Sequence, residues 1–259
     1  RPKFVLDCAM PDCGPAGRLC VVNALPQGSV AYGVGLDWQR TLVRLRQSGT
    51  IPDTLLMLEH APVVTHGRLA DPGNRLADPL QLRDSGIELA PTDRGGDYTY
   101  HGPGQLTGYP IVHLGDGNRD IHRYVRSLEE VLIRTARDFG VPSADRSDFH
   151  AGVWVGDRYL AAVGVKVSRW VTHHGFALNV DSRVHRGFRN IVACGMQGKP
   201  VTSLAEESKR PVDPLAVATR LASHFQEVYG YGNLDLADLE SVGLGFDGDG
   251  ENGVQSGQS

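Results

Sequence analysis

The 259-residue chain has no basic excess. Its 26 lysines and arginines stand against 30 aspartates and glutamates, for a formal charge of -4 and a pI near 6.2. The usual electrostatic mark of a nucleic-acid binder is therefore missing. No apolar run approaches the roughly 20 residues that cross a bilayer. The opening RPKFVLDCAM has none of the apolar core of a secretory signal. These absences point to a cytoplasmic protein that acts away from membranes and nucleic acid. The chain opens on Arg1 rather than Met, as a trimmed or processed terminus would. Cysteine is scarce. Cys8, Cys13, Cys20 and Cys194 form no CxxC pair, and the spacing of the first three matches no zinc signature. Reduced thiols are the expectation. There is no HExxH, no GxxxxGK[ST] and no GxGxxG after a first strand. Those gaps argue against the standard metalloprotease, ATP and dinucleotide enzymes, and neither metal nor cofactor is expected. No repeat and no internal linker is found.

What is present reads as alternating elements. Val34, Trp38, Leu42 and Leu45 recur at helical spacing, predicting a helix from about Val30 to Gln47 that Gly49 and Pro52 end. LLMLE (Leu55–Glu59) reads as a buried strand, and PVVTHG (Pro62–Gly67) and Ile87–Pro91 as two more. The polar stretch between Arg68 and Ser85 carries the turn signal Asp71-Pro72-Gly73-Asn74. Ile111–Leu114 predicts a further strand. Asp120 caps a helix whose inner face is Ile121, Tyr124, Val125, Leu128, Val131, Leu132 and Phe139, closed by Gly140 and Pro142. GVWV (Gly152–Val155) and YLAAVGV (Tyr159–Val165) flank Gly156-Asp157-Arg158 as a hairpin, and FALNV (Phe176–Val180) is another strand. Ser203-x-x-Glu206 is a capping box. Asp213-Pro214 opens a helix to about Tyr229 with Leu215, Ala218, Leu221, Phe225 and Val228 inward. This mixture predicts one α/β or α+β domain with a mixed sheet, from residue 1 to about 244. Residues 245–259 are polar and glycine-rich, and a disordered tail is expected there.

Two segments concentrate chemistry. RGGDYTYHGPGQLTGYP (Arg94–Pro110) packs Arg94, Asp97, His101 and Gln105 among glycines, prolines and tyrosines. It is too poor in aliphatics for core and too rich in Gly and Pro for helix, so it predicts a ligand-cradling loop with short strand pieces. NIVACGMQGKPVTSL (Asn190–Leu204) sets Cys194 between an apolar run and a glycine, upstream of a capped helix. That is a setting for a nucleophile whose thiolate backbone amides and a helix N-terminus stabilise. It equally suits a small buried hydrophobe. His101 and His174 are the histidines with functional neighbours. His60, His66, His113, His122, His150, His185 and His224 have none.

RGGDYTYHGPGQLTGYP, AAVGVKVSRWVTHHGFALNV and NIVACGMQGKPVTSL, in this order and spacing, resemble the octanoyl-[acyl carrier protein]:protein N-octanoyltransferases of lipoate biosynthesis. The resemblance runs from about Val21 to Tyr229. It implies the mixed-sheet catalytic-domain fold that these enzymes share with biotin and lipoate protein ligases. It also implies a mechanism. A cysteine, matched by Cys194, takes the octanoyl group from octanoyl-acyl carrier protein as a thioester. A lysine of a lipoyl domain, on a 2-oxoacid dehydrogenase or the glycine cleavage H protein, then takes it as an amide. The resemblance assigns acyl binding to Arg94, Gly95, Gly96 and Asp97 and to Tyr98, Thr99, Tyr100 and His101. Ala162, Val163 and Gly164, with Gly175, Phe176 and Ala177, match two further substrate-contacting stretches. Their small side chains suit a narrow acyl slot, and exposed backbone N–H groups suit an oxyanion hole.

One position departs from the family. Its lysine, five residues before the glycine matched by Gly164, is Tyr159 here. A phenol has a reference pKa near that of lysine but supplies no positive charge to a thiolate. Lys166 is a possible substitute. Seven residues from Tyr159, it points to the opposite face of a regular strand, and a bulge, expected at Gly164, is needed to bring it round. A solvated strand lysine is the preferred reading of it. His101 or His174 would serve as base in a cysteine–histidine arrangement. Two other readings stay open. One is a catalytically weakened relative that binds acyl carrier protein or lipoyl domains. The other, weaker, is an ATP-dependent ligase.

Overall fold

The computed structural model describes residues 17–115, 119–147 and 150–245. Cys8, Cys13 and the expected tail beyond residue 245 lie outside the described residues. Strands β1 (Arg18–Asn23) and β2 (Ser29–Val30) lead into helix α1 (Tyr32–Gln47), followed by β3 (Asp53–His60) and β4 (Val63–His66). A short helix α2 (Pro79–Asp84) precedes β5 (Glu88–Pro91), β6 (Tyr98–His101) and β7 (Gln105–Ile111). Helix α3 (Ile121–Asp138) is followed by β8 (Ala144–Asp145), β9 (Gly152–Val155), β10 (Arg158–Ser168) and β11 (Val171–Asn179). Helices α4 (His185–Phe188), α5 (Leu204–Ser208) and α6 (Pro214–Tyr229) and strand β12 (Asn233–Ala237) complete the order.

The main sheet runs β12-β1-β3-β7-β11-β10-β9-β8, with β2 alongside β3. Its β12, β1, β2 and β3 pairings are parallel, and the rest, from β3–β7 to β8–β9, are antiparallel. Alternation along β3 feeds two apolar layers. Leu55 and Met57 meet α3 and α6 through Leu128, Val131, Leu221 and Phe225, while Leu56 and Leu58 meet Trp38 and Leu42 of α1. A second sheet, β5-β4-β6, packs with α2 and α4 in its own cluster of Val64, Leu82, Tyr98, Tyr100 and Phe188. The mixed sheet in one domain is as expected.

The long helices follow their signals. The Asp120 carboxylate accepts from the Arg123 N–H at 3.0 Å and starts α3. Asp213 does the same for α6, and Gly230 ends it with φ of 74°. Ile121 and Leu215, expected inward, are 43% and 45% exposed. Both stand in a first turn, before the apolar stripe reaches the sheet. The short strand pieces expected in the Arg94–Pro110 segment are present, and the larger correction is their burial. β6 and β7 occupy most of Arg94–Pro110, and every residue in these strands is buried. Their polar groups are tolerated inside because many are paired: the Gln105 amide donates to Asn179 Oδ1 at 2.9 Å, and Tyr109 Oη lies 2.7 Å from His60 Nε2. β1, β12 and the capping-box helix α2 carry no counterpart in the sequence reading.

Asp120→Ala removes the cap of the most amphipathic helix. It is expected to cost about 1 kcal/mol and to lower the melting temperature by about 2–4 °C, measured by thermal unfolding.

Candidate active site

Cys194 sits in a 3-10 turn (Ala193–Gly195) with φ 52° and ψ 25°, the left-handed region. A non-glycine residue held there stores strain of order 1–2 kcal/mol. The turn is tied down on both sides. The Gly195 and Met196 N–H groups donate to Val192 and Ala193 carbonyls, and the Val192 N–H donates to Asn74 O at 2.7 Å. Downstream, the Tyr159 N–H donates to Pro200 O at 2.8 Å and the Thr202 N–H to Tyr159 O at 3.0 Å. These bonds stitch the segment after Cys194 to β10, so that its sulfur lies 4.0 Å from the Tyr159 hydroxyl. Helix α5 begins only at Leu204. The helix expected to steady the thiolate does not follow Cys194 directly, and no residue of α5 lines the cleft.

Cys194 opens into a cleft of about 530 Å3, counting the space at its mouth. Strand parity decides which residues reach it. On β6, Thr99 and His101 line the cleft, while Tyr98 and Tyr100 turn the other way into the small-sheet cluster. Tyr98 and Tyr100, matched by the resemblance to acyl contact, therefore do not line this cleft. Asp97 also stays out of the lining. Its carboxylate accepts from Asn74 Nδ2 and from the Asp71 and Tyr98 N–H groups, bracing the loop behind Cys194. Arg94, Gly95, Gly96, Ala162, Val163, Gly164, Gly175, Phe176 and Ala177 all line the cleft, as the resemblance implies. Tyr32, Thr107, Tyr109 and His150 line it too. Sequence reading missed these four as site residues. Tyr32 and His150 arrive from distant elements and carry no local signal, whereas the parity of β7 would have flagged Thr107 and Tyr109.

β10 is bulged. Its pairing with β9 shifts register between Tyr159 and Ala161, while its pairing with β11 runs without a shift from Ala161 to Ser168. Leu160 and Ala161 therefore both enter the core under α3. Tyr159 ends beside the Cys194 sulfur, and Ala162 and Gly164 line the cleft, despite their opposite parity. A bulge does what the sequence reading required, five residues earlier than Gly164. Lys166 still does not reach the thiol. Its Nζ pairs with Asp93 Oδ2 at 2.5 Å, and its side chain is 30% exposed. Tyr159 is enclosed by Trp154, at a ring separation of 4.6 Å, and by Gly152, where a Cβ would fall 2.8 Å from the tyrosine ring. Its hydroxyl donates to Ala151 O at 3.1 Å. Burial pushes the phenol well above its ordinary value, and the neighbouring sulfur adds to that. Tyr159 is a neutral group.

Arg94 is the one lysine or arginine among the cleft-lining residues. It is 8% exposed and bound wholly by neutral acceptors: Gly95 O at 2.9 Å, Thr65 O at 3.2 Å, Thr65 Oγ1 at 3.0 Å and Asp97 O at 2.7 Å. Its Nε has no partner. Burial presses its pKa down and the nearby Cys194 sulfur pulls it up. An arginine stays charged in a protein, so the guanidinium is a buried cation held by dipoles. Burial raises the Cys194 thiol, and Arg94, then Tyr159, oppose that rise.

The histidines divide. His101 is fully enclosed, with Nδ1 2.8 Å from Gln105 Oε1. The Gln105 amide in turn donates to Asn179, whose amide donates to Thr202 O. That chain fixes Nδ1 as the protonated nitrogen, and burial beside His60 holds the ring neutral, down to about 3. His174 also has a left-handed backbone, φ 56°. Its Nε2 is 2.7 Å from Asp93 Oδ1. Its N–H donates to Gln39 Oε1 at 2.6 Å, which anchors β11 to α1. Among the described residues no group of three His, Cys, Asp or Glu could hold a metal ion. No helix among them is long and apolar enough to cross a membrane.

Residues 31–226 match the family model of the lipoyl protein ligase A/B catalytic domain. The chain is 46% identical over 226 residues to an octanoyltransferase of Solibacter usitatus, covering 87% of this chain and 100% of that one. It is 41% identical to an octanoyltransferase of Alkaliphilus metalliredigens (84% and 99% covered) and 47% identical to one of Rubrobacter xylanophilus (81% and 93%). In three dimensions it resembles a lipoate-protein ligase A solved with ATP, with a TM-score of 0.69 at 17% identity over 86% of this chain and 87% of that one. It also resembles the bipartite lipoate protein ligase of Thermoplasma acidophilum, with a TM-score of 0.65 at 18% identity over 86% of each chain. At those identities the structures speak for the fold alone, which is the expected lipoate ligase catalytic-domain fold. The sequence relatives speak for the family: the chain belongs to the octanoyltransferases, acyltransferases built on the lipoyl protein ligase A/B catalytic domain.

Proposed function

We propose that this chain transfers an octanoyl group from an acyl carrier protein thioester to a lysine of a lipoyl domain, in lipoate biosynthesis, through a thioester on Cys194. The observation that carries the reading is the pairing of a strained, cleft-facing cysteine with a buried guanidinium that has no anionic partner of its own. The Cys194 thiolate attacks the donor thioester carbonyl. A carbon–sulfur bond to Cys194 forms, the bond to the carrier sulfur breaks, and the carrier leaves as a thiolate that takes up a proton. Arg94 balances the sulfur charge before attack. Thr99, Gly164 and Ala177 leave room for the acyl chain along the cleft. Thioester exchange is near energy balance, and amide formation drives the second half, so ATP has no part in it. The acceptor is the ε-amine of a lysine on a lipoyl domain of a 2-oxoacid dehydrogenase or of the glycine cleavage H protein.

The neutral Tyr159 favours a second reading, a weakened relative that binds these partners without transfer. The two differ in one measurement. Incubation with octanoyl-acyl carrier protein followed by intact mass is expected to give one octanoyl adduct. The adduct is lost in Cys194→Ala and discharged when a lipoyl domain is added. A wild-type chain without adduct, beside a Tyr159→Lys variant that forms one, selects the second reading.

Tyr159 offers only a long, uncharged contact to the sulfur. Tyr159→Phe is therefore expected to change iodoacetamide labelling of Cys194 by no more than about fivefold, the worth of one ordinary hydrogen bond. Because burial raises the thiol, labelling should climb with pH from neutrality upward, as the thiolate fraction grows. A pH-independent rate, or a collapse of labelling in Tyr159→Phe, contradicts this account of the site.

A further inference from the structure

The thioester reading leaves a proton unaccounted for. A lysine side chain arrives as an ammonium, and the amide keeps one of its three protons. Of the other two, one restores the Cys194 thiol and one must leave the site. Neither group beside the sulfur can receive it. Tyr159 already carries its proton, with its pKa pushed far up, and Arg94 is a permanent cation. His101 also lines the cleft, but its Nδ1 is bound into the buried Gln105–Asn179 amide chain, and among the described residues no carboxylate faces its ring to stabilise an imidazolium.

His174 is placed differently. Its ring lines the cleft that Cys194 opens into. Nε2 faces Asp93 Oδ1 at 2.7 Å. Asp93 is held as a carboxylate by Lys166 and His174 themselves. An ionised carboxylate can only accept, so Nε2 carries the hydrogen and Nδ1 holds the lone pair. Nδ1 has no partner among the described residues. The Asp93 side chain is 51% exposed, so the pair joins the cleft to bulk water. The left-handed backbone at His174 adds a cost that ordinary strand packing does not require, and the Gln39 side chain of α1 is spent on holding it. Strain kept in place by a dedicated partner points to a positioned side chain.

We propose that the His174–Asp93 pair is the general base of the second half-reaction, taking a proton from the attacking lysine amine at His174 Nδ1. The inference rests on the Cys194 thioester reading. The amine nitrogen bonds to the acyl carbon as the bond to Cys194 sulfur breaks. One amine proton passes to Nδ1, and Asp93 stabilises the resulting imidazolium without itself becoming protonated. The imidazolium then gives its proton to water, and the sulfur, leaving as a thiolate opposite Arg94, takes up the other. The charges facing His174 allow this. Burial opposes the imidazolium most, Asp93 favours it, and Arg94 and Lys166 oppose it. His101 and His173 are neutral neighbours, held down to about 3 and about 4. The resting ring is thus neutral and ready to accept.

The test separates the two half-reactions. Asp93→Asn keeps the shape of an exposed side chain. His174→Asn keeps a residue type that tolerates positive φ. Each variant, and the wild type, is first acylated with octanoyl-acyl carrier protein and scored by intact mass. Each acyl-enzyme is then mixed with a lipoyl domain or with hydroxylamine, which is neutral at pH 7 and needs no base. Acylation is expected to stay within a few-fold of wild type in both variants. Transfer to the lipoyl lysine at pH 7 should fall at least about 100-fold, as loss of a general base does. It should also regain rate as pH rises, while discharge by hydroxylamine stays unchanged. Equal loss with both amines means structural damage, and unchanged transfer to lysine means no base role. Either result overturns the proposal. If the wild type itself forms no Cys194 adduct, the thioester reading fails and the base falls with it. Adduct formation with intact transfer in both variants sinks the base alone.

Discussion

A buried guanidinium without a carboxylate is the constraint on which the rest of this site depends. Arg94 is enclosed, and its hydrogen bonds go to three backbone carbonyls and one threonine hydroxyl. Dipoles satisfy its donors, and the Asp97 carboxylate offsets its charge only through space, without a hydrogen bond. A buried cation in that condition stabilises any anion brought beside it. The one thiol in the cleft is the group so placed, and its left-handed turn holds it there. The missing lysine at Tyr159 then matters less than composition alone implies. On the proposed reading, the charge that a thiolate needs comes from Arg94 in the segment before β6.

The same backbone features place the other groups. The register shift between Tyr159 and Ala161 lets one strand bury two successive side chains, set Tyr159 beside the Cys194 sulfur and still show Ala162 and Gly164 to the cleft. The parity of β6 sends Thr99 and His101 inward and two tyrosines into the neighbouring core. The segment after Cys194 is tied to β10 through the backbone of Tyr159 itself. A residue unsuited to charge chemistry thus remains important as a structural clasp. His174, Asp93 and Lys166 form a second polar group on the open side of the cleft, away from that clasp.

Much of this was legible in the chain. α1, α3 and α6 announce themselves through periodicity, caps and terminal glycines, and the β9–β10 hairpin through its turn. Cys194 and the Arg94 segment were identified from motifs. What was hidden depended on parity and distance. Whether Tyr98 or Thr99 meets a ligand turns on a register that one residue would invert. β6 and β7 read as short strand pieces around a surface loop because their glycines, proline and polar residues suit a surface. They are core because Asn179 and His60 supply partners from elsewhere and Gly108 leaves room for the Phe176 ring. Asp93 stands next to Arg94 yet finds its partner 81 residues away, a pairing no local pattern records. Lys166 was correctly read as a strand residue, but its ion pair depended on the same distant loop.

The central claim is that Arg94, and not Tyr159, sets the charge state of Cys194. The direct measurement is the thiolate ultraviolet absorbance of the protein against pH, with the Cys194→Ala curve subtracted, for wild type, Arg94→Met and Tyr159→Phe. Variants are compared only where thermal unfolding shows the fold retained. Loss of Arg94 should move the Cys194 transition to higher pH by about one unit or more, the usual effect of removing a close opposite charge, while Tyr159→Phe moves it less. An Arg94→Met curve that overlays the wild type, or a larger shift in Tyr159→Phe, would contradict the account.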